Sequence, residues 1–378
     1  MCGIVGYIGK EQAAPILIEG LSRLEYRGYD SAGVAVFDAE SGSLAVHKAK
    51  GRLQVLSEQL HGGADLDSTV GVGHTRWATH GAPSDINSHP QMSRSGKIAV
   101  VHNGIIENYT ELKGFLQSKG VPFVSETDTE VVAQLIEYFY DGDLLQAVGQ
   151  VLRRIQGAYA LGILCADCPD RIVSVRKDSP LILGWGEGCN FIASDVTAIL
   201  RHTRRVSYME DGELAVLTRE GIRCYNHLMQ PIEKKIVTVD WELDAAEKGG
   251  YEHFMFKEIM EQPDALRRCL SPRIREGDIM FEDLSLSQEF LQNMRRIYIV
   301  ACGSSYHVGM VGKYHLERLT RIPVEVALGS EFRYMDPIVD EHTLVIVISQ
   351  SGETLDTMAA LREARRLGGH ILSIVNVV

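Results

Sequence analysis

Up to about residue 240 the chain is built of short runs in which apolar residues recur at the spacing of a half-buried strand. These runs, rich in β-branched residues, predict strands over Ile4–Ile8, Ala32–Phe37, Val70–His74, Ile98–His102, Ala160–Leu164, Ile172–Arg176, Phe191–Ser194 and Glu213–Leu217. Two longer patterns, with apolar residues three and four apart, predict helices over Ala13–Leu24 and Thr129–Tyr140. Strands outnumber helices, which predicts sheets with a helix layer rather than a doubly wound parallel unit.

The periodicity lapses at Asp240–Gly250, DWELDAAEKGG, and a helical pattern resumes near Glu252 through HFMFKEIMEQPDALRRCL. The grammar then changes. Strand Ile297–Ala301, helix Ser305–Leu319, strands Val324–Ala327 and Leu344–Ser349, helix Thr354–Leu367 and strand Ile371–Val375 alternate as a parallel α/β sheet with right-handed crossovers requires. The expected organisation is therefore a β-rich domain over residues 1–240, a connecting segment over 241–288 and an α/β domain over 289–378. The last apolar run reaches Asn376-Val377-Val378 with no closing helix. A four-stranded parallel sheet with an uncovered edge exposes apolar surface, so the second domain is expected to be incomplete or to depend on another chain.

Composition narrows the function classes. A length of 378 residues, 45% of them hydrophobic, exceeds what one core usually serves. Fifty acidic against 38 basic side chains give a net charge of -12 without a long block of one sign, which disfavours nucleic acid and anionic lipid as partners. The start, MCGIVGYIGK, has no basic segment ahead of an apolar one, and no stretch approaches membrane-spanning length, so a cytoplasmic protein is expected. Seven scattered cysteines argue for free thiols. Only Cys165-Ala-Asp-Cys168 has metal-ligand spacing, and it lacks a second pair to complete four ligands.

Chemistry concentrates in a few segments. Removal of Met1 in front of a small residue leaves Cys2 with a thiol and a free α-amine, a nucleophile carrying its own base, because the amine titrates at about 7.7–8.0 and the thiol at about 8.5. By position alone Cys2 reads as a small buried hydrophobe. In His74-Thr75-Arg76-Trp77-Ala78-Thr79-His80-Gly81, Arg76 has the fork needed to hold an α-carboxylate bidentately. His102-Asn103-Gly104 lies between two apolar pairs and, read alone, is an Asn-Gly hairpin turn; its side-chain amide and a neighbouring glycine N–H also make a pair of oxyanion donors. Thr127 and Glu130 fit a capping box, with Asp128 placed to meet an ammonium group. In the second half, Cys302-Gly303-Ser304-Ser305 and Ser349-Gln350-Ser351-Gly352-Glu353-Thr354 each join a strand to a helix. Such hydroxyl-rich turns either cap helices or bind phosphate, and the absence of GxxxxGK[ST] argues against a nucleotide P-loop.

In their order and spacing, MCGIVGYIG, RLEYRGYDSAG, HTRWATHG, VVHNGIIENY, SETDTE, ACGSSYH and SQSGET closely resemble the glucosamine-6-phosphate synthase family, the glutamine–fructose-6-phosphate aminotransferases. The resemblance runs from Cys2 to the final residue. It implies an N-terminal-nucleophile glutaminase domain, an αββα sandwich, followed by the start of a parallel α/β sugar-isomerase (SIS) domain. Carried over by motif, the resemblance implies Cys2 as the nucleophile and base, Asn103 and Gly104 as the oxyanion donors, and Arg76 and Asp128 as the clamps on glutamine, with Thr79 and His80 lining the pocket, Arg27 near its mouth and Trp77 gating an ammonia channel. Cys302, Gly303, Ser304, Ser305, Ser349, Gln350, Ser351 and Thr354 match the sugar-phosphate pocket. The resemblance implies L-glutamine and D-fructose 6-phosphate as substrates, a homodimer in the full-length protein, and no metal or organic cofactor. The family's second SIS half and C-terminal tail, with the Glu, His and Lys of isomerisation and Schiff-base chemistry, have no counterpart in these 378 residues. Two alternatives stay open: another amidotransferase of the same nucleophile class, against which SQSGET speaks, and a non-catalytic sugar-phosphate-binding fragment.

Overall fold

The computed structural model describes residues 2–239, 251, 253–275, 278–279, 281, 284, 286–352 and 354–376, without the side chains of Arg27, Phe254, Arg275 and Asp278. The chain divides into two compact units, Met1–Glu247 and Lys248–Val378.

The first unit holds two antiparallel sheets. One has eight strands in the order Val237–Thr238, Arg205–Tyr208, Ile182–Trp185, Asn190–Ala193, Gly3–Ile8, Val70–Arg76, Ser31–Asp38 and Ser43–Lys50. The other has seven: Pro231–Ile232, Ile222–Tyr225, Leu214–Leu217, Ile172–Lys177, Gly157–Cys165, Ile98–Ile106 and Gln91–Met92. Strand alternation sends the apolar side chains of each sheet in two directions. Ile4, Ile8, Val70 and Val72 of the first sheet meet Ala99, Val101, Ala160 and Leu164 of the second in one buried layer. The opposite face of the first sheet packs Val5, Tyr7, Val34 and Val36 against helices Ala13–Ser22 and Leu53–Gln59. The outer face of the second packs Ile98, Val100, Leu161 and Val173 against helices Tyr109–Ser118, Asp128–Phe139 and Leu144–Leu152. Three cores between four layers make the unit an αββα sandwich.

In the second unit four parallel strands lie in the order Val324–Leu328, Arg296–Ala301, Thr343–Ser349 and His370–Val375. Helices Ser304–Thr320 and Leu355–Arg366 cross between them. Their starts place both hydroxyl-rich turns at the C-terminal edge of adjacent strands, where Ala301 is in register with Ile348. Strand His370–Val375 forms the sheet's edge, with Ile374 and Val375 exposed.

Candidate active site

The site grows out of strand register. Along Val70–Arg76 the positions facing the second sheet are Val70, Val72, His74 and Arg76; along Ile98–Ile106 those facing back are Ala99, Val101 and Asn103. The same face is apolar in the middle of the sandwich and polar at one end. Gly3 is in register with Thr75, so Cys2, the residue before that strand, falls beside Arg76. The polar end thus collects the nucleophile candidate, a guanidinium and an amide.

Cys2 Sγ lies 3.3 Å from the amide nitrogen and 3.5 Å from the carbonyl oxygen of Trp77. Desolvation dominates its titration and pushes the thiol up; the Trp77 N–H, the chain's terminal amine and Arg76 oppose that, and Asp128 adds to it. The thiol is therefore the resting form, and a base is needed to make the nucleophile. Asn103 Nδ2 donates to the Cys2 carbonyl oxygen at 3.1 Å, and Asn103 Oδ1 is 3.1 Å from His74 Nε2. Burial holds His74 neutral by pushing its titration down to about 3.

Arg76 is buried, and one of its terminal nitrogens, Nη2, donates to the carbonyls of His80 and Gly81, the latter at 3.1 Å. The other, Nη1, is buried without a partner. A buried guanidinium with an unused donor is an anion site in waiting, since such a group is costly to leave unpaired. Asp128 Oδ2 accepts from the Ile106 N–H at 2.8 Å and lies 3.9 Å from His102 Nδ1. Thr127 caps the helix that Asp128 opens, its hydroxyl accepting from the Glu130 N–H at 3.4 Å. The capping box is only half formed: the Glu130 carboxylate reaches the N–H groups of Val124 and Ser125 instead of that of Thr127.

Asn103 and Gly104 are not a hairpin turn. They lie inside the nine-residue strand Ile98–Ile106, paired with Ala160 and Tyr159 of Gly157–Cys165. The glycine is needed for another reason: Gly104 has φ +127°, and a Cβ there would stand 2.0 Å from the Ala158 carbonyl oxygen. The neighbouring strand is as close from its own side, a Cβ at Gly157 meeting Ile105 O at 2.1 Å.

Trp77 is 45% exposed and packs edge-on against Tyr29. His80 is half-buried, its ring 5.1 Å from that of Tyr109, and Thr79 is exposed on the same loop. The side chain of Arg27 lies outside the described residues. The loop itself is pinned by groups the sequence reading passed over. Asp30 accepts from the Ala78 N–H at 2.9 Å, Asn87 ties Ala82 to Glu126, and Lys48 Nζ donates to Ile86 O at 3.1 Å and Pro90 O at 3.4 Å. Their motif signal was weak: Asp30 sits in RGYDSAG as an ordinary polar residue ahead of a strand, and Lys48 on a strand that the pattern did not reveal.

In the second unit Cys302 Sγ accepts from Thr357 Oγ1 at 3.4 Å, which brings the two strand-to-helix turns side by side. The N-cap residues of the two helices are Gly303 and Thr354, and neither makes a side-chain cap. Ser349 Oγ accepts from the Gly352 N–H at 3.1 Å, Ser304 and Gln350 are exposed, and Ser305 and Ser351 are half-buried.

Comparison with known proteins joins these two halves. A glutamine amidotransferase domain family matches residues 74–201, and a SIS domain family matches 290–378. Over the whole of its length the chain is 56% identical to glutamine–fructose-6-phosphate aminotransferase (isomerizing) of Caldanaerobacter subterraneus subsp. tengcongensis and 55% identical to that of Clostridium acetobutylicum. The chain therefore carries a glutamine amidotransferase domain followed by a SIS domain. It spans 62% of the length of each of those two relatives. The matched amidotransferase stretch contains Arg76, Trp77, Thr79, His80, Asn103, Gly104 and Asp128, while Cys2 precedes it. In fold this chain also resembles the glutamine phosphoribosylpyrophosphate amidotransferase of B. subtilis, with a TM-score of 0.55 at 19% identity over 99% of this chain and 81% of that one. That likeness is one of architecture.

Proposed function

We propose that this chain hydrolyses L-glutamine at Cys2, supplying ammonia within a longer enzyme that converts D-fructose 6-phosphate and L-glutamine to D-glucosamine 6-phosphate and L-glutamate. The observation that carries the reading is the convergence of Cys2, Arg76, Asn103 and Asp128 at one end of the sandwich, with a buried guanidinium nitrogen left unpaired.

Removal of Met1 leaves the α-amine of Cys2 as the base that takes the thiol proton, directly or through water. The thiolate attacks the side-chain carbonyl carbon of glutamine, and the negative charge moves onto its oxygen, met by Asn103 Nδ2 and the Gly104 N–H. Collapse of that intermediate breaks the C–N bond; the terminal ammonium returns its proton to the leaving nitrogen, and ammonia departs from a γ-glutamyl thioester. Water then releases glutamate and the thiol. Arg76 holds the substrate's α-carboxylate and Asp128 its ammonium, while Thr79, His80 and Arg27 line the pocket and Trp77 gates the ammonia. Holding the two ends of the amino acid fixes the amide at Cys2, where positioning is worth several powers of ten in rate.

Residues 1–240 are assigned to the glutaminase, 241–288 to a connector and 289–378 to the SIS part. There Cys302, Gly303, Ser304, Ser305, Ser349, Gln350, Ser351 and Thr354 receive the sugar phosphate through hydroxyls and backbone N–H groups at helix starts. The full-length protein is assigned as a cytoplasmic homodimer without nucleic-acid or membrane partners; in support, no described helix is long and apolar enough to cross a membrane, and the net charge is -12. The test is glutamate release from glutamine by purified protein, beside Cys2→Ala and an intact-mass check on Met1. Release that Cys2→Ala abolishes supports the reading; no release from folded protein lacking Met1 sinks it for this chain.

A further inference from the structure

We propose that His74 is a positioning residue that fixes which way the Asn103 amide faces, acting as a donor through Nε2. The inference rests on the reading of Asn103 as an oxyanion donor and adds the group that makes it one.

An asparagine side chain has a donor end and an acceptor end of nearly the same shape, so its usefulness as an oxyanion donor depends on its neighbours. His74 Nε2 is 3.0 Å from the His102 carbonyl oxygen and 3.1 Å from Asn103. A carbonyl oxygen only accepts, so Nε2 carries the proton, and the Asn103 atom beside it is Oδ1. On the other side, the Cys2 carbonyl oxygen also only accepts, so the atom 3.1 Å from it is Nδ2. The two constraints are independent and agree. Turning the amide over would set N–H against N–H on the buried His74 side and oxygen against oxygen on the part-buried Cys2 side. In the observed orientation one Nδ2 hydrogen is engaged by the residue that carries the thiol, and the second remains for the substrate oxygen.

The imidazole is itself held. Its strand pairs on both sides, His74 standing opposite Ile4 and Gly33. His89 packs against the ring with centroids 4.3 Å apart. The His89 backbone passes so close to Gly33 that a Cβ there would meet its carbonyl oxygen at 2.2 Å. Burial also keeps both imidazoles neutral, so His74 has one N–H to give and gives it toward Asn103 and His102.

The test compares wild type, His74→Leu, His74→Gln and Cys2→Ala in the full chain. Glutamine side-chain nitrogen can stand near the place of imidazole Nε2; leucine donates nothing. His74→Leu is expected to lower kcat for glutamine hydrolysis on the order of 10²-fold, the usual effect of losing an oxyanion donor, with KM changed less than about threefold. His74→Gln is expected to recover to within about tenfold of wild type. Alkylation of Cys2 by iodoacetamide needs no oxyanion donor and should keep its rate in both variants. Unchanged kcat in His74→Leu, or equal loss in both variants, overturns the proposal. A second measurement does not need turnover: in protein labelled with 15N asparagine, the Asn103 side-chain amide signal should persist in His74→Gln and broaden or shift in His74→Leu. A signal unmoved by His74→Leu overturns the inference even if hydrolysis is absent. Hydrolysis that survives Cys2→Ala overturns the glutaminase reading and leaves the amide signal to judge His74.

Discussion

Gly104→Ala tests whether the site is shaped by the close approach of two strands. The added Cβ would stand 2.0 Å from the Ala158 carbonyl oxygen, 2.7 Å from its carbon and 3.0 Å from Ser179 Oγ, with the backbone at φ +127°. Carbon and oxygen need about 3 Å, so the strand must give by about 1 Å against a backbone group with no flexible end to move aside. Strain at that φ costs about 1–3 kcal/mol and overpacking about 1–3 kcal/mol. For a unit of this size each kcal/mol lowers Tm by about 2–4 °C, so melting of the first unit should fall by roughly 5–20 °C. Asn103 is the adjacent residue, and a displacement of about 1 Å there is expected to reduce glutamine hydrolysis on the order of 10²-fold. Scanning calorimetry and a glutamate assay read the two effects. Gly114→Ala is the internal control: this glycine lies within helix Tyr109–Ser118 with nothing within 4 Å of an added Cβ, and alanine should stabilise by about 0.5–1 kcal/mol. A Gly104→Ala protein that melts within about 2 °C of wild type and hydrolyses glutamine normally would refute the reasoning.

Other expectations follow from the same geometry. Arg76→Lys keeps the charge but loses the fork, and should raise KM for glutamine by roughly 10–100-fold with a smaller effect on kcat; unchanged KM in steady-state kinetics removes Arg76 from carboxylate binding. Burial depresses His74 from 6.5 to about 3, so the folded state resists a proton that the unfolded chain accepts. Its contribution is complete above about pH 6.5 and lost as pH falls toward 3, at about 1.4 kcal/mol per unit. Between pH 7 and 5, wild type should lose about 2 kcal/mol more than His74→Gln in urea unfolding, and equal losses would contradict this. Gly303 has φ +58° and ψ -136° with open space around a would-be Cβ, so Gly303→Ala should destabilise the second unit through the backbone alone, by about 1–3 kcal/mol. An unchanged second transition on calorimetry would remove that strain from the account. Lys48→Met takes one donor from the Ile86 carbonyl, which keeps Gln91 Nε2, and the Lys48 donor from that of Pro90, and should speed hydrogen exchange around residues 84–90; unaltered exchange there would show that the clamp is idle.

The sandwich was legible where strands are buried on both faces. Ile4–Ile8, Ala160–Leu164 and Ile172–Arg176 each lie within an observed strand, because such strands are apolar almost throughout. Ser43–Lys50 escaped notice because an edge strand is half-exposed along most of its length and shows no clean alternation. Tyr109–Ser118 and Leu144–Leu152 are short helices that the reading passed over: the first buries only Leu112 and Leu116, and the second buries Leu144, Ala147, Val148 and Val151 at helical spacing over little more than two turns. The site was harder, for a reason visible at Arg76 and Asn103. A strand carrying polar residues on its inner face looks, in sequence, like a strand that has ended. Val70–His74 was therefore read two residues short, and Asn103-Gly104 suggested a turn where the strand continues. His74 was legible only as a motif letter, since its importance lies in which atom of a neighbour it faces.

The distribution of the site between two kinds of backbone has a consequence for how it opens and closes. Cys2, His74, Arg76 and Asn103 ride on or beside strands of the two packed sheets, and Asp128 opens a helix docked on one of them. These groups should separate only when the sandwich comes apart, and should share the slow amide exchange of its core. Trp77, Thr79 and His80 belong to a loop held at scattered points, with Trp77 and Thr79 open to solvent. On the proposed function, entry of glutamine and departure of glutamate would be the business of the loop, on a timescale set by local opening, with the sheet-borne groups unchanged beneath it.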